Sequence, residues 1–352
     1  MRERSNMPRL PRPALYLALT LGLGLLSAWT TSASAQTFED AAKAYQSGDY
    51  ATALSGLQAL AMGGDANAQL LLGTMYFNGE GIDANYVEGL RWFRLSADQE
   101  NHAAAFALAS AYRTGAGVER NDPEARHYFE IAAMGNLVPA KFELANMLAA
   151  GEGGQADGSR AVRFFNEAAE AGHPGALYSM GAIYAAGQLR PQNLSLAVSY
   201  FRKAAKLGQP DAAYNLGLML VEGTGVEASP AEATQWFEVA ATQGLADAQA
   251  ALGFLYINGT GVEKNEEKAA SWFNEAALRG HTLAQTRLAR LYYLGKGIEK
   301  DLVAAYAWLS IARSGGQNDP ELAELLEPEM TPAMLAKAEE TLKDWEAATS
   351  AP

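Results

Sequence analysis

Residues 248–280 read AQAALGFLYINGTGVEKNEEKAASWFNEAALRG, and the fold follows from how this stretch recurs. Its first residue belongs to a series of alanines spaced 36 residues apart, at 68, 104, 140, 176, 212, 248 and 284. A period of that length marks a solenoid, whose units are each too small to bury their own apolar face. Ala248, Leu252, Gly253 and Tyr256 fall on one stripe of a 3.6-residue helix, here helix A of the unit. Gly259 has glycine in register at 79, 115, 151, 187, 223 and 295. Glycine just beyond the last periodic position suits a left-handed C-cap, so helix A stops there.

Asn265 shares its register with Asn85, Asn121, Asp157, Asn193, Ser229 and Asp301. Such side chains accept hydrogen bonds from backbone N–H groups left over in a first helical turn, so a second helix, B, begins at each. Glu88, Glu124 and Glu232 lie three residues past their caps and complete a capping-box pattern. Helix B carries a large aromatic phase, Trp92, Tyr128, Phe164, Tyr200, Trp236, Trp272 and Trp308. These rings are expected to form the core between repeats, with a cost of about 3–5 kcal/mol for truncating a tryptophan to alanine.

The register extends over seven units, residues 68–316. Residues 36–67 read as a short N-terminal capping repeat and 317–352 as a C-terminal capping helix and tail, because the ends of a solenoid must cover a face no neighbour buries. The last helix is expected from Ala333 to about Ala347, with Met334, Leu335, Ala338, Leu342 and Trp345 on one side. Most A–B loops add a second glycine and a Val or Ile, as in Gly259-Thr260-Gly261-Val262. The loops Gly151-Glu152-Gly153-Gly154-Gln155 and Gly187-Gln188-Leu189-Arg190-Pro191 lack the branched residue. Drift on an unchanged loop is the preferred reading; a local change of loop shape is the alternative.

At the other end, Arg2, Arg4, Arg9 and Arg12 precede an apolar run from Ala14 to Leu26 and the small-residue exit Ala33-Ser34-Ala35. This describes residues 1–35 as a cleavable secretory signal with Gln36 as the mature first residue, and hence a periplasmic or secreted protein. The run is shorter than the ~20 residues that span a bilayer, so no membrane insertion is expected after cleavage. The chain has no cysteine, which excludes thiol nucleophiles, thiolate metal sites and disulfides. Its net charge of −13 argues against nucleic acid as a partner. The four histidines lack metal-binding spacing, and no phosphate-loop or serine-hydrolase signature is present, so no metal, cofactor or catalytic residue is expected.

The pattern Ala-x3-Leu-Gly-x2-Tyr-x2-Gly-x-Gly-Val, a cap, Ala-x2-Trp and Ala-Ala-x2-Gly resembles the Sel-one-like repeat family, relatives of tetratricopeptide repeats, over residues 68–316. The resemblance implies an all-α, right-handed α/α superhelical solenoid that acts as a non-enzymatic adaptor for a protein or peptide; a monomer is expected. Exported relatives are associated with envelope signalling, exopolysaccharide control or host contact. It implies that helix A residues two, six and nine places after the first alanine line the inner groove. The first set is Leu70, Phe106, Phe142, Tyr178, Tyr214, Ala250 and Thr286; the second includes Asn146, Leu218, Phe254 and Arg290. Partner binding is assigned to Leu70, Phe106, Phe142, Asn146, Tyr178, Tyr214, Leu218, Phe254 and Arg290, although the same rings could instead pack into the core. The alternatives are a hydrolase of cell-wall or β-lactam substrates, disfavoured because those relatives carry paired cysteines, and a structural part of a polysaccharide secretion complex.

Overall fold

The computed structural model describes residues 33–350, every regular element of which is helical. The expected signal, residues 1–35, lies outside the described residues apart from its exit, Ala33 to Ala35. The chain forms two compact units that divide at Ala176/Leu177. The first contains α1 (Ala33–Gln46), α2 (Tyr50–Met62), α3 (Ala66–Asn78), α4 (Tyr86–Ala97), α5 (His102–Thr114), α6 (Asp122–Met134), α7 (Val138–Ala150) and α8 (Gly158–Glu170). The division falls in the first turn of α9 (Pro174–Ala186). The second unit continues through α10 (Leu194–Lys206), α11 (Pro210–Glu222), α12 (Pro230–Thr242), α13 (Ala246–Asn258), α14 (Glu266–Leu278), α15 (Thr282–Leu294) and α16 (Leu302–Ser314). It ends with α17 (Pro320–Leu326), one 3-10 turn and α18 (Pro332–Ser350). Each unit is a solenoid of helix-turn-helix pairs in which helices packed as neighbours are mostly consecutive in the chain.

Local chemistry sets the helix ends. The seven C-cap glycines all take φ near +70°, where a β-carbon is strained, and their N–H groups close the last turn of each A helix, as Gly259 donates to Leu255 O. The B-helix caps work as expected at Asn85, Asn121, Asp157, Asn193, Asn265 and Asp301, but Ser229 makes no side-chain cap bond. The capping box is also corrected. The cap N–H groups of Asn85, Asn121 and Ser229 donate to Tyr76 O, Tyr112 O and Leu220 O of helix A, so the glutamates three residues on are not needed for them. Glu232 instead accepts from Arg202 and from the Trp236 indole.

The core differs from the sequence reading by one position. The fully buried ring of helix B is the residue after the tryptophan phase: Phe93, Phe129, Phe165, Phe201, Phe237 and Phe273, all at or below 4% exposure. Trp92 is buried, whereas Tyr128, Phe164, Tyr200, Trp236, Trp272 and Trp308 are half-buried. The glycines of helix A explain the choice. A β-carbon at Gly73, Gly181, Gly217 or Gly253 would lie 2.6–2.8 Å from the ring of Phe93, Phe201, Phe237 or Phe273, so each glycine is the slot that ring occupies.

The second loop glycine has a packing role as well. At Gly117, Gly225 and Gly261 a β-carbon would stand 2.2–2.5 Å from Tyr86, Leu194 and Pro230, the first residue of the preceding helix B. Each loop therefore rests on the start of the helix one repeat back. Gly153 (φ +71°) and Leu189 (φ +59°) keep a left-handed backbone in the two divergent loops, but the second is bonded differently. Arg190 N–H donates to Gln188 O at 2.7 Å, whereas the first loop keeps the usual bond from Glu152 N–H to Met147 O, so drift describes the first loop and a local change of shape the second.

At the C-terminus, α17 was not foreseen. Its Leu322 and Leu326 pack with Ala289, Ala305 and Leu309, and Arg290 fixes its start: the guanidinium reaches Asp319 Oδ2 at 2.5 Å, Oδ1 at 2.8 Å and Glu321 Oε2 at 2.8 Å. On α18 Ala338 is buried, while Met334, Leu335, Leu342 and Trp345 are half-buried.

Candidate functional site

The residues assigned to partner binding lie along successive A helices, and each unit presents its own set. In the first unit Leu70 and Phe106 are buried, and the Phe106 ring meets Phe129 edge-on at 5.6 Å. Phe142 is half-buried, 6.1 Å from Phe165 and stacked on the His173 imidazole at 4.4 Å. Asn146 is half-buried one turn further on. Two of the four are thus withdrawn into the stack, while Phe142 and Asn146 keep a solvent-facing part.

The second unit keeps more of its rings accessible. Tyr178, Tyr214 and Phe254 are half-buried and stand 5.8, 5.7 and 5.1 Å from Phe201, Phe237 and Phe273. Each exposed ring is therefore supported by a buried one, which fixes its position at little entropic cost on binding. Ala250 and Thr286 are buried, so in the sixth repeat the ring over helix B comes from Phe254, one turn later than in its neighbours. Leu218 is half-buried. Arg290 is engaged with Asp319 and Glu321, so its charge is neutralised within the chain.

Charged groups that the sequence reading did not single out surround these rings. The exposed Arg287 guanidinium sits 5.4 Å over the Phe254 ring. Burial, and secondarily the charge of Asp247, raises the Tyr214 phenol above its ordinary value. Asp247 Oδ1 lies 3.3 Å from His281 Nε2, while His281 Nδ1 accepts the Ala284 N–H at 3.1 Å. That cap requires an unprotonated Nδ1, so the neutral ring carries its proton on Nε2, the nitrogen nearer Asp247. His173 caps α9 in the same way through Ala176 N–H, and its burial lowers its basicity. His173 and His281 share one repeat register, three repeats apart, and their use as helix caps shows only in the atoms.

Among the described residues no cluster of three or more His, Asp or Glu could hold a metal ion, and no helix is long and apolar enough to cross a membrane. Stacked helix pairs with a 36-residue register, glycine-stopped A helices and aromatic A-helix faces define a tetratricopeptide-like α/α repeat protein. The Sel1 repeat model matches seven consecutive segments, 66–101, 102–137, 138–173, 174–209, 210–245, 246–281 and 282–317. The chain belongs to the Sel1 repeat family. It is similar to the crystal structure of a Sel1 repeat protein from Oxalobacter formigenes, at 29% identity and TM-score 0.66 over 92% of this chain and 98% of that one. It is also similar to a protective antigen of uropathogenic Escherichia coli with the same fold, at 26% identity and TM-score 0.56 over 95% of this chain and 79% of that one. A search of curated proteins found no match. Sel1 repeat proteins generally mediate protein–protein interaction, and the family is typically non-enzymatic.

Proposed function

We propose that this chain is an exported, non-enzymatic scaffold that holds a protein or peptide against its A-helix faces. The observation that supports this reading is the set of half-exposed rings in the second unit, Tyr178, Tyr214 and Phe254, each backed by a buried phenylalanine. With Asp247 and Arg287 beside them, the surface offers rigid aromatic area and charges of both signs, the composition of binding hot spots. Phe142 and Asn146 supply the corresponding surface of the first unit. The periplasmic or secreted location rests on residues 1–35, and N-terminal sequencing of the exported protein should begin at Gln36.

The test is affinity capture from the exported fraction by the natural chain and by a Tyr178→Ser/Tyr214→Ser/Phe254→Ser variant of equal helicity. A protein recovered by the first and lost from the second is expected; equal recovery contradicts the assignment. Reproducible hydrolysis of a chromogenic β-lactam by purified protein would contradict the non-enzymatic reading.

A further inference from the structure

The chain averages about one acidic residue in nine, yet none occurs between Glu170 and Asp211. Across that interval stand Arg190, Arg202, Lys203 and Lys206, three of them on α10. The three on α10 border a shallow cavity of about 430 Å³, also lined by Ser195, Val198, Ser199, Gly225 and Val226. Arg202 donates to Glu232 Oε1 at 3.0 Å and Ser195 Oγ to Gly225 O at 3.1 Å. Lys203 lies over the Tyr200 ring at 5.8 Å and is exposed, and exposed Lys206 has no ion-pair partner among the described residues.

The scaffold does not require these lysines. The register positions of Lys203 hold Leu95, Ile131, Glu167, Val239, Glu275 and Ile311, and those of Lys206 hold Asp98, Met134, Glu170, Thr242, Leu278 and Ser314. Both lysines suit the negative end of their own helix, but that end recurs in every repeat without them. Leu196 on the same helix and Leu207 at its C-cap, 40% and 53% exposed, flank them.

We propose that this face of α10 is a second docking surface, distinct from the aromatic A-helix face, and that it takes an acidic peptide segment bearing apolar side chains. Carboxylates pair with Lys203 and Lys206 and enter the cavity edged by Ser199, while leucine-like side chains cover Leu196 and Leu207. A peptide is favoured over an anionic membrane because the cations border a concavity, and because a chain of net charge −13 is repelled from an anionic surface as a whole.

The test uses a fluorescein-labelled dodecapeptide of four Glu-Leu-Glu units, titrated by anisotropy against the full chain. Saturable binding that weakens with added salt is expected. Lys203→Glu/Lys206→Glu should weaken it by about tenfold or more with an unchanged circular dichroism spectrum, while Tyr214→Ser/Phe254→Ser leaves it intact. The proposal is overturned by no saturation up to about 1 mM, by equal binding of the charge-reversed variant, or by equal binding of a Lys-Leu-Lys peptide. Charge-dependent sedimentation with phosphatidylglycerol vesicles in the absence of peptide binding would assign the surface to lipid and overturn it too.

Discussion

The ring-in-slot packing of helix B predicts a change of sign in a double-mutant cycle. Phe237 is 1% exposed and leans on Gly217, so Phe237→Ala should cost about 3–5 kcal/mol. Gly217→Ala places a β-carbon 2.6 Å from Phe237 Cε1, about 1 Å inside an ordinary carbon contact. Overpacking of this kind costs about 1–3 kcal/mol, and alanine in a helix interior returns about 1 kcal/mol over glycine. Ala109 stands opposite Phe129 in the second repeat, so the fold can shift a ring to admit the methyl, which places the net loss near 1 kcal/mol. In the Phe237→Ala background the ring is gone, and the same substitution should stabilise by about 1 kcal/mol. The coupling is thus about 2 kcal/mol, readable from urea unfolding of the four proteins at a shared slope. If Gly217→Ala shifts stability equally in both backgrounds, the glycine is not the slot for the ring.

Three further outcomes concern charged or titrating groups. Arg290→Ala strips the guanidinium from the nearly buried Asp319 carboxylate and should cost about 2–3 kcal/mol in the same assay; a loss near zero would mean that α17 is held by its leucines alone. Burial alone would raise the Asp319 carboxyl, but the Arg290 guanidinium and the Leu322 N–H outweigh it and hold it below its ordinary 3.8. Its contribution is therefore complete above pH 3.8 and is lost as pH falls through the lower folded value, a loss that Asp319→Asn should remove from the acid limb of stability. His173 is lowered by burial from 6.5, so its contribution is present above pH 6.5 and lost as pH falls through the folded value. His173→Asn keeps a cap like that of Asn101 and should flatten stability across that window; an unchanged slope would show that the imidazole does not titrate there.

The parts of the fold set by local chemistry were legible in the sequence. Seven glycines stopped helices and six of seven caps started them because each acts within one turn of its own chain. What failed depended on a neighbour. Trp236 and Phe237 are adjacent and equally apolar, and only the empty slot above Gly217 in helix A decides which is buried. That signal was present as two registers, glycine in A and phenylalanine in B, which were not read together. Arg290 looked available because its partner, Asp319, lies beyond the repeating register. The A-helix stripe was found as a row of equivalent positions, but burial along it varies, from Phe106 at 6% to the half-exposed Tyr178 and Tyr214, although each ring rests on its phenylalanine at nearly the same distance.

The central claim is that a protein is held on the A-helix face of the second unit. Photoreactive residues placed singly at Tyr178, Tyr214 and Phe254, and as a control at the exposed Gln235 of helix B, address it directly when crosslinked in cells and resolved by mass spectrometry. The account predicts one common protein joined from all three A-helix positions and absent from Gln235. No crosslinked protein at the three positions, or the same products from Gln235, would contradict it.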